Sequence, residues 1–241
     1  LAGLTNYVEE HGCDIGIATD GDADRLGVID DKAEFLHPNK ILVLLYYYLM
    51  RYRGWRGAAV RNLATTHLLD RIAEDFGETC YEVPVGFKYV SAKMVETGAI
   101  IGGESSGGLT VRGHIQGKDG IYAAALLVEA IAKTGRRLSA LWDEITQKYG
   151  AAEMAEHDFH FSSAERTRIF KLLMEDKQLP EFPCEIAKVS YMDGCKVYFK
   201  NGGWVIARFS GTEPLLRVFC EMDTMENAEK IAKILTEFLS L

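Results

Sequence analysis

Apolar positions along this 241-residue chain fall into short runs with two different periods. Ile41 to Met50 is apolar without a break (Ile-Leu-Val-Leu-Leu-Tyr-Tyr-Tyr-Leu-Met). A membrane span needs about 20 such residues, so the run predicts a core helix. It opens after Pro38-Asn39 and closes in Arg51-Tyr52-Arg53-Gly54, a basic last turn with a glycine stop. Leu4 to His11 predicts an N-terminal helix, and Asp14 to Ala18 and Leu26 to Ile29 predict two short buried strands. Strand and helix patterns then alternate. Ala58 to Arg61, Thr79 to Val83 and Ala99 to Gly102 read as strands; His67 to Phe76, Lys88 to Glu96, Gly120 to Lys133 and Leu138 to Tyr149 read as helices. This alternation predicts an α/β domain with a mixed sheet flanked by helices.

After Gly150 the pattern changes. Residues 164 to 178 are helix-like and charged until Pro180 and Pro183 intervene. Glu185 to Met192, Cys195 to Lys200, Trp204 to Phe209 and Leu215 to Glu221 then read as strands, and Met225 to Leu239 as an amphipathic helix. Asp193-Gly194 and Asn201-Gly202 favour type I′ hairpin turns, so the expectation is a small α+β domain with an antiparallel four-stranded sheet.

A hydrophobic content of 48% with 26% charged residues belongs to a globular protein with real cores. The net charge of −8 and the lack of a basic run argue against a nucleic-acid surface, and no segment suits a membrane. An acidic chain can still bind an anion through local arginines and backbone N–H groups. Five cysteines (13, 80, 184, 195 and 220) without Cys-x-x-Cys spacing read as reduced thiols, and a cytoplasmic location is expected. Glu9-Glu10 stands where a signal peptide would be apolar, and the absence of an initiator methionine suggests a fragment.

The strongest chemical signal is Asp20-Gly21-Asp22-Ala23-Asp24-Arg25. In an extended loop, alternate residues point the same way, so three carboxylates would converge. Their repulsion is relieved by a hard divalent cation. Arg25 cannot ligate a metal but can grip a phosphate oxygen facing it. An EF-hand is excluded, because loop position 6 would be Arg25 rather than glycine and position 12 would be Asp31. A solvated Asp-Gly turn remains the plain alternative.

Three further loops carry candidate chemistry. Arg208-Phe209-Ser210-Gly211-Thr212-Glu213-Pro214, with Arg217 following, is built like an anion cradle. Glu104 and Ser106, in Gly102-Gly103-Glu104-Ser105-Ser106-Gly107-Gly108, pair a carboxylate with a hydroxyl, as vicinal sugar hydroxyls require. Pro84-Val85-Gly86-Phe87-Lys88 puts Lys88 at a helix start, where an anion would favour it. Each could instead be an ordinary turn. In Lys118-Asp119-Gly120, Asp119 is a plausible N-cap and Lys118 either a surface charge or a proton donor; His67 and His114 read as structural or surface residues rather than catalytic ones.

In this order the four loops resemble the α-D-phosphohexomutases, the phosphoglucomutases and phosphomannomutases. Asp20 to Arg25 looks like that family's magnesium loop, Glu104-x-Ser106-Gly107 its sugar loop, Arg208-x-Ser210-Gly211-Thr212-Glu213-Pro214 its phosphate loop, and Gly86-Phe87-Lys88 its specificity loop. The resemblance implies that Asp20, Asp22 and Asp24 hold one Mg²⁺, with Arg25 stabilising the transferring group. It also implies that Gly86, Lys88, Glu104, Ser106, Arg208, Ser210, Gly211, Thr212 and Arg217 bind substrate. Some members carry a histidine just after the sugar-loop glycine; Gly108 stands there, so the proton-transfer role moves to Lys118, which tilts preference toward glucose phosphates. By resemblance the chain holds the end of domain 2 (1–34), domain 3 (35–149) and domain 4 (152–241).

The implied reaction interconverts hexose 1-phosphate and hexose 6-phosphate through a phosphoserine and a bisphosphate intermediate. Glucose 1- and 6-phosphate are the favoured substrates, mannose phosphates are possible, and a glucose 1,6-bisphosphate activator is implied for the full enzyme. No Thr-x-Ser-His-Asn-Pro-like stretch occurs in the sequence. The chain is therefore expected to be inactive alone and to need N-terminal domains of the same protein. A sugar-phosphate-binding module and a metal-dependent phosphatase are the competing readings.

Overall fold

The computed structural model describes residues 1–211 and 213–241. They form two compact units, Leu1–Gly150 and Ala151–Leu241.

The first unit opens with α1 (Ala2–His11), then β1 (Gly16–Thr19), β2 (Leu26–Ile29) and β3 (Phe35–Leu36), an antiparallel sheet in that order. The core helix follows as α2 (Pro38–Arg51), with Pro38 at its first position and the His37 ring accepting from Asn39 N–H. Every residue from Ile41 to Met50 is buried, as a helix apolar on all sides must be. Its three tyrosines keep their hydroxyls satisfied. Tyr46 donates to the Gly57 carbonyl, Tyr47 to Glu144 (2.6 Å) and Tyr48 to Glu129 (2.5 Å).

A second sheet is built from β4 (Ala59–Asn62), β5 (Cys80–Val83), β6 (Ile101–Gly103) and β7 (Leu109–Val111), in spatial order β5-β4-β6-β7. β4 runs parallel to β5 and β6, while β7 is antiparallel to β6. The helices α3 (Leu68–Asp75), α4 (Phe87–Thr97), α5 (Gly120–Thr134) and α6 (Leu138–Tyr149) complete the unit. The mixed sheet flanked by helices is the expected fold. Glycine at two β6 positions sets the packing distance. A Cβ on Gly102 would lie 2.5 Å from Met94 Sδ of α4, and one on Gly103 would lie 2.8 Å from Leu42 Cδ1 of α2.

In the second unit, β8 (Glu153–His160) leads to α7 (Ser163–Phe170), which opens in a Ser162/Glu165 capping box and continues into a π-helical turn, Lys171–Glu175. β9 (Ile186–Ser190), β10 (Cys195–Phe199), β11 (Trp204–Phe209), β12 (Leu215–Met222) and α8 (Met225–Phe238) follow. The sheet is antiparallel but five-stranded, ordered β8-β12-β11-β10-β9. The added strand β8 pairs with β12 over eight residues, and its polar composition suits an edge. Val197, Val205, Leu216, Val218 and Cys220 pack against Ile231, Ala232 and Leu235 of α8.

The turns differ from the type I′ expectation. Type I′ needs two left-handed residues, but only Gly194 (φ 92°) and Gly202 (φ 90°) have positive φ, not Asp193 or Asn201. Gly202 N–H bonds the Phe199 carbonyl and Phe199 N–H the Gly203 carbonyl, a three-residue loop with its left-handed residue last. No helix among the described residues is long and apolar enough to cross a membrane.

Candidate functional site

Oxygens of Asp20, Asp22 and Asp24 lie within 4.8 Å of one another. The cause is not an extended loop. Ala23 N–H bonds the Asp20 carbonyl at 3.1 Å and Ala23 adopts φ 57°, so a turn followed by a left-handed residue brings the carboxylates together. The start of α5 holds this turn. Gly120 N–H donates to the Ala23 carbonyl at 2.9 Å, and a Cβ on Gly120 would lie 2.6 Å from the Arg25 carbonyl oxygen.

Two cations flank the triad. Arg25 Nε lies 3.9 Å from Asp20 and 3.7 Å from Asp24, and Lys118 Nζ pairs with Asp24. Hard carboxylate oxygens this close suit one small divalent ion, whose opposite ligands at ~2.1 Å lie about 4 Å apart. Lys118 also fills the space above Gly108, where a Cβ would fall 2.2 Å from Lys118 Cδ. A side chain at 108 and Lys118 in this position exclude each other.

Glu104 follows β6. Glu104 N–H bonds the Gly108 carbonyl, and Gly107 N–H bonds the Glu104 carbonyl. The segment is thus a closed turn, and strand alternation does not set where Glu104 and Ser106 point. Glu104 is buried, with Oε1 accepting from Asn62 Nδ2 and Gly86 N–H, each at 2.9 Å. Ser106 is exposed and lines a cleft of about 650 Å³ with Asp20, Arg25, Pro38 and Phe35. Gly86 is the N-cap of α4 (φ 129°); Lys88 is exposed, its Nζ 4.9 Å over the Tyr89 ring.

In the second unit, Arg208 and Arg217 stand directly opposite on β11 and β12. Like charges so placed repel unless acids or an anion intervene. Asp193 accepts from Arg208 Nε at 2.9 Å. Glu213 accepts from Arg217 Nη2 at 3.2 Å, and Asp158 lies 3.6 Å from Arg217 Nε, which is buried and donates to no acceptor among the described residues. Ser210 Oγ accepts from Glu213 N–H, and Gly211 is open, with nothing within 4 Å of an added Cβ. Thr212 lies outside the described residues.

Sequence profiles of three phosphoglucomutase/phosphomannomutase domains match in order: α/β/α domain II over residues 1–33, α/β/α domain III over 37–149 and the C-terminal domain over 170–238. The chain belongs to this family, the α-D-phosphohexomutases. A phosphoglucomutase/phosphomannomutase of Thermococcus kodakarensis is 33% identical over 234 residues, 97% of this chain and 49% of the relative. A phosphoglucosamine mutase of an Exiguobacterium species is 29% identical over 239 residues, again 97% against 49%. A crystal structure of a phosphoglucomutase/phosphomannomutase family protein from Burkholderia thailandensis has the same fold, with a TM-score of 0.79 and 24% identity over 99% of this chain and 49% of that one. The chain spans about half the length of the relatives it matches.

Within this phosphohexomutase chain the first unit gathers Asp20, Asp22, Asp24, Arg25 and Lys118 on one side of the α5 start, and Gly86 with Glu104 on one oxygen. Asn62, Thr65 and Asp193 were not legible beforehand. Asn62 ends β4 and Thr65 follows it in an Asn-Leu-Ala-Thr segment that carries no motif, and Thr65 Oγ1 accepts from Ser105 N–H. In the sequence Asp193 signals only a turn, before Gly194. His114 bonds Asp119 at 2.8 Å, while Asp119 also caps α5 by accepting from Tyr122 N–H; together these hold the Asp119 carboxyl below its usual range. His67 lies 3.6 Å from Glu82, which with Asp70 pairs the buried Arg61.

Proposed function

We propose that this chain carries the metal, sugar and phosphate sites of an α-D-phosphohexomutase that interconverts hexose 1- and 6-phosphates. The observation that carries the reading is the clamped Asp20–Asp22–Asp24 turn flanked by Arg25 and Lys118. Residues 1–34, 35–149 and 152–241 are assigned as the end of domain 2, domain 3 and domain 4. The compact packing runs without a break through residue 34 to Gly150, so the first boundary is one of family architecture.

The three carboxylates would hold Mg²⁺, which when bound neutralises charge on the phosphoryl group in transfer. Arg25 stabilises that group's oxygens through its guanidinium. Lys118 Nζ, beside Asp24, carries the proton exchanged with the sugar hydroxyl. Glu104 and Ser106 hold sugar hydroxyls, and the Gly86–Lys88 turn shapes that side of the site. Arg208, Ser210, Gly211, Thr212 and Arg217 hold the phosphate that is not reacting. Lysine at 118 above glycine at 108 favours glucose phosphates over mannose phosphates. The phosphoryl donor, a phosphoserine, is supplied by residues outside this sequence, and a hexose 1,6-bisphosphate primes the complete enzyme.

A coupled assay with glucose 1-phosphate, Mg²⁺ and a trace of glucose 1,6-bisphosphate tests this. The chain alone is expected to give no glucose 6-phosphate and no inorganic phosphate. Phosphate release would favour the phosphatase reading. Tight glucose 1-phosphate binding indifferent to Mg²⁺ would favour a binding module.

A further inference from the structure

Three loops at one end of the mixed sheet meet at the Glu104 carboxylate, whose Oε1 accepts from both Asn62 Nδ2 and Gly86 N–H. Asn62 is the last residue of β4 and 2% exposed. Its Oδ1 accepts from Ala64 N–H (2.9 Å) and Thr65 Oγ1 (2.8 Å), and its Nδ2 donates to Glu104 Oε1 (2.9 Å). The amide orientation is not arbitrary. Ala64 N–H is a donor whatever else changes, so the atom facing it is the oxygen and the atom facing Glu104 the nitrogen. Thr65 Oγ1, spending its proton on Asn62, accepts from Ser105 N–H at 3.0 Å. Gly86 N–H supplies the second bond to the same Glu104 oxygen. Residues 62–65, 86 and 104–105 thus form one hydrogen-bonded chain.

We propose that Asn62 is the positioning residue that fixes the Glu104 carboxylate, so that the sugar-binding turn and the Gly86–Lys88 turn act as one unit. The proposal deepens the sugar-site reading and rests on it for its functional consequence. Both bonds to Glu104 fall on Oε1, which sets the plane in which the carboxylate meets a ligand. The other charge at this point of β4, Arg61, is engaged with Asp70 and Glu82. Aspartate at 62 would keep both acceptor bonds to Ala64 and Thr65 but set a second carboxylate about 3 Å from Glu104, where two negative charges repel unless they share a proton.

The test compares glucose 6-phosphate binding by the wild-type chain and by Asn62→Asp across pH, with the Gly86 amide resonance followed by NMR. At about pH 8 the variant is expected to bind about tenfold more weakly, the cost of losing one hydrogen bond to a charged group. The ratio should narrow toward about pH 5.5, where a shared proton restores a donor between the two carboxyls. Taking the ratio at each pH cancels the ligand's own titration. In Asn62→Asp/Glu104→Gln the pH dependence should vanish, since no carboxylate pair remains. A flat ratio in the single variant, with an unmoved Gly86 resonance, overturns the proposal. If the wild-type chain binds no glucose 6-phosphate the sugar-site reading fails, yet titration of Gly86 in Asn62→Asp still decides the positioning. Should Asn62→Asp not fold, Glu104→Gln alone must shift the Asn62 side-chain amide and Gly86 N–H resonances together; movement of neither overturns the claim.

Discussion

At the scale of single residues, close approach explains more than charge does. Gly108 and Lys118 form a mutually exclusive pair, because a Cβ at 108 would sit 2.2 Å from the lysine stem. The atom it would strike belongs to a flexible side chain, so Gly108→Ala should displace Lys118 rather than unfold the protein. Moving that ammonium away from Asp24 removes a competing cation. Metal affinity is therefore expected to rise about fivefold in both Gly108→Ala and Lys118→Met, some 1 kcal/mol for a partly screened charge pair. Calorimetric titration with Mn²⁺ checks this, and weaker binding in both variants would refute the geometry. The carboxylate types of the candidate site were legible from Asp20-Gly21-Asp22-Ala23-Asp24-Arg25, but the reason for their convergence was not. Left-handed Ala23 and the α5 clamp depend on Gly120, almost one hundred residues along the chain. Asn62 and Asp193 were hidden for the same reason: their partners, Glu104 and Arg208, are distant in sequence.

At the scale of elements, regular apolar runs carry a clear period in the sequence and polar strands do not. The wholly apolar α2 and the strand–helix alternation through α6 emerge with ends shifted by a residue or two. The strands β3 and β7 are two and three residues long, too short for a period to register. β8, Glu-Met-Ala-Glu-His-Asp-Phe-His, is mostly polar and shows no clean apolar alternation, and its strand character comes from pairing with β12. Helix-to-sheet contact in the first unit depends on Gly102, whose Cβ would lie 2.5 Å from Met94 Sδ and 2.6 Å from Val90 Cγ1. Gly102→Ala should cost roughly 1–3 kcal/mol by overpacking. Gly3→Ala, in α1 with nothing within 4 Å, should instead gain up to about 1 kcal/mol from helix propensity. Chemical denaturation of the two variants should move midpoints in opposite directions; equal shifts would mean that α4 does not press on β6.

At the scale of the molecule, carboxylates held by hydrogen bonds and ion pairs set the acid limit. Burial alone would push the Asp70 carboxyl up, but Arg61, bonded at 2.6 and 2.9 Å, outweighs it and holds Asp70 below its ordinary value of 3.8. Asp119 is held low by its bonds to Tyr122 N–H and His114. A depressed carboxyl contributes stability that is complete above the unfolded value and lost as pH falls through the folded one. Urea stability should thus fall steeply below about pH 3.8 and change little on this account just above it. In Asp70→Asn that slope should flatten, although the variant starts less stable because the buried Arg61 loses one of its two carboxylate partners. An unchanged slope would mean Asp70 is not the titrating group.

The central claim is that Asp20, Asp22 and Asp24 make one divalent-cation site on a turn that α5 holds in place. Its most direct test is Mn²⁺ titration followed by NMR line broadening in the wild-type chain and in Asp22→Asn. The account predicts that broadening begins at residues 20–25 and 118–120 and is lost in Asp22→Asn. Broadening that starts elsewhere, or that survives the substitution, would contradict it.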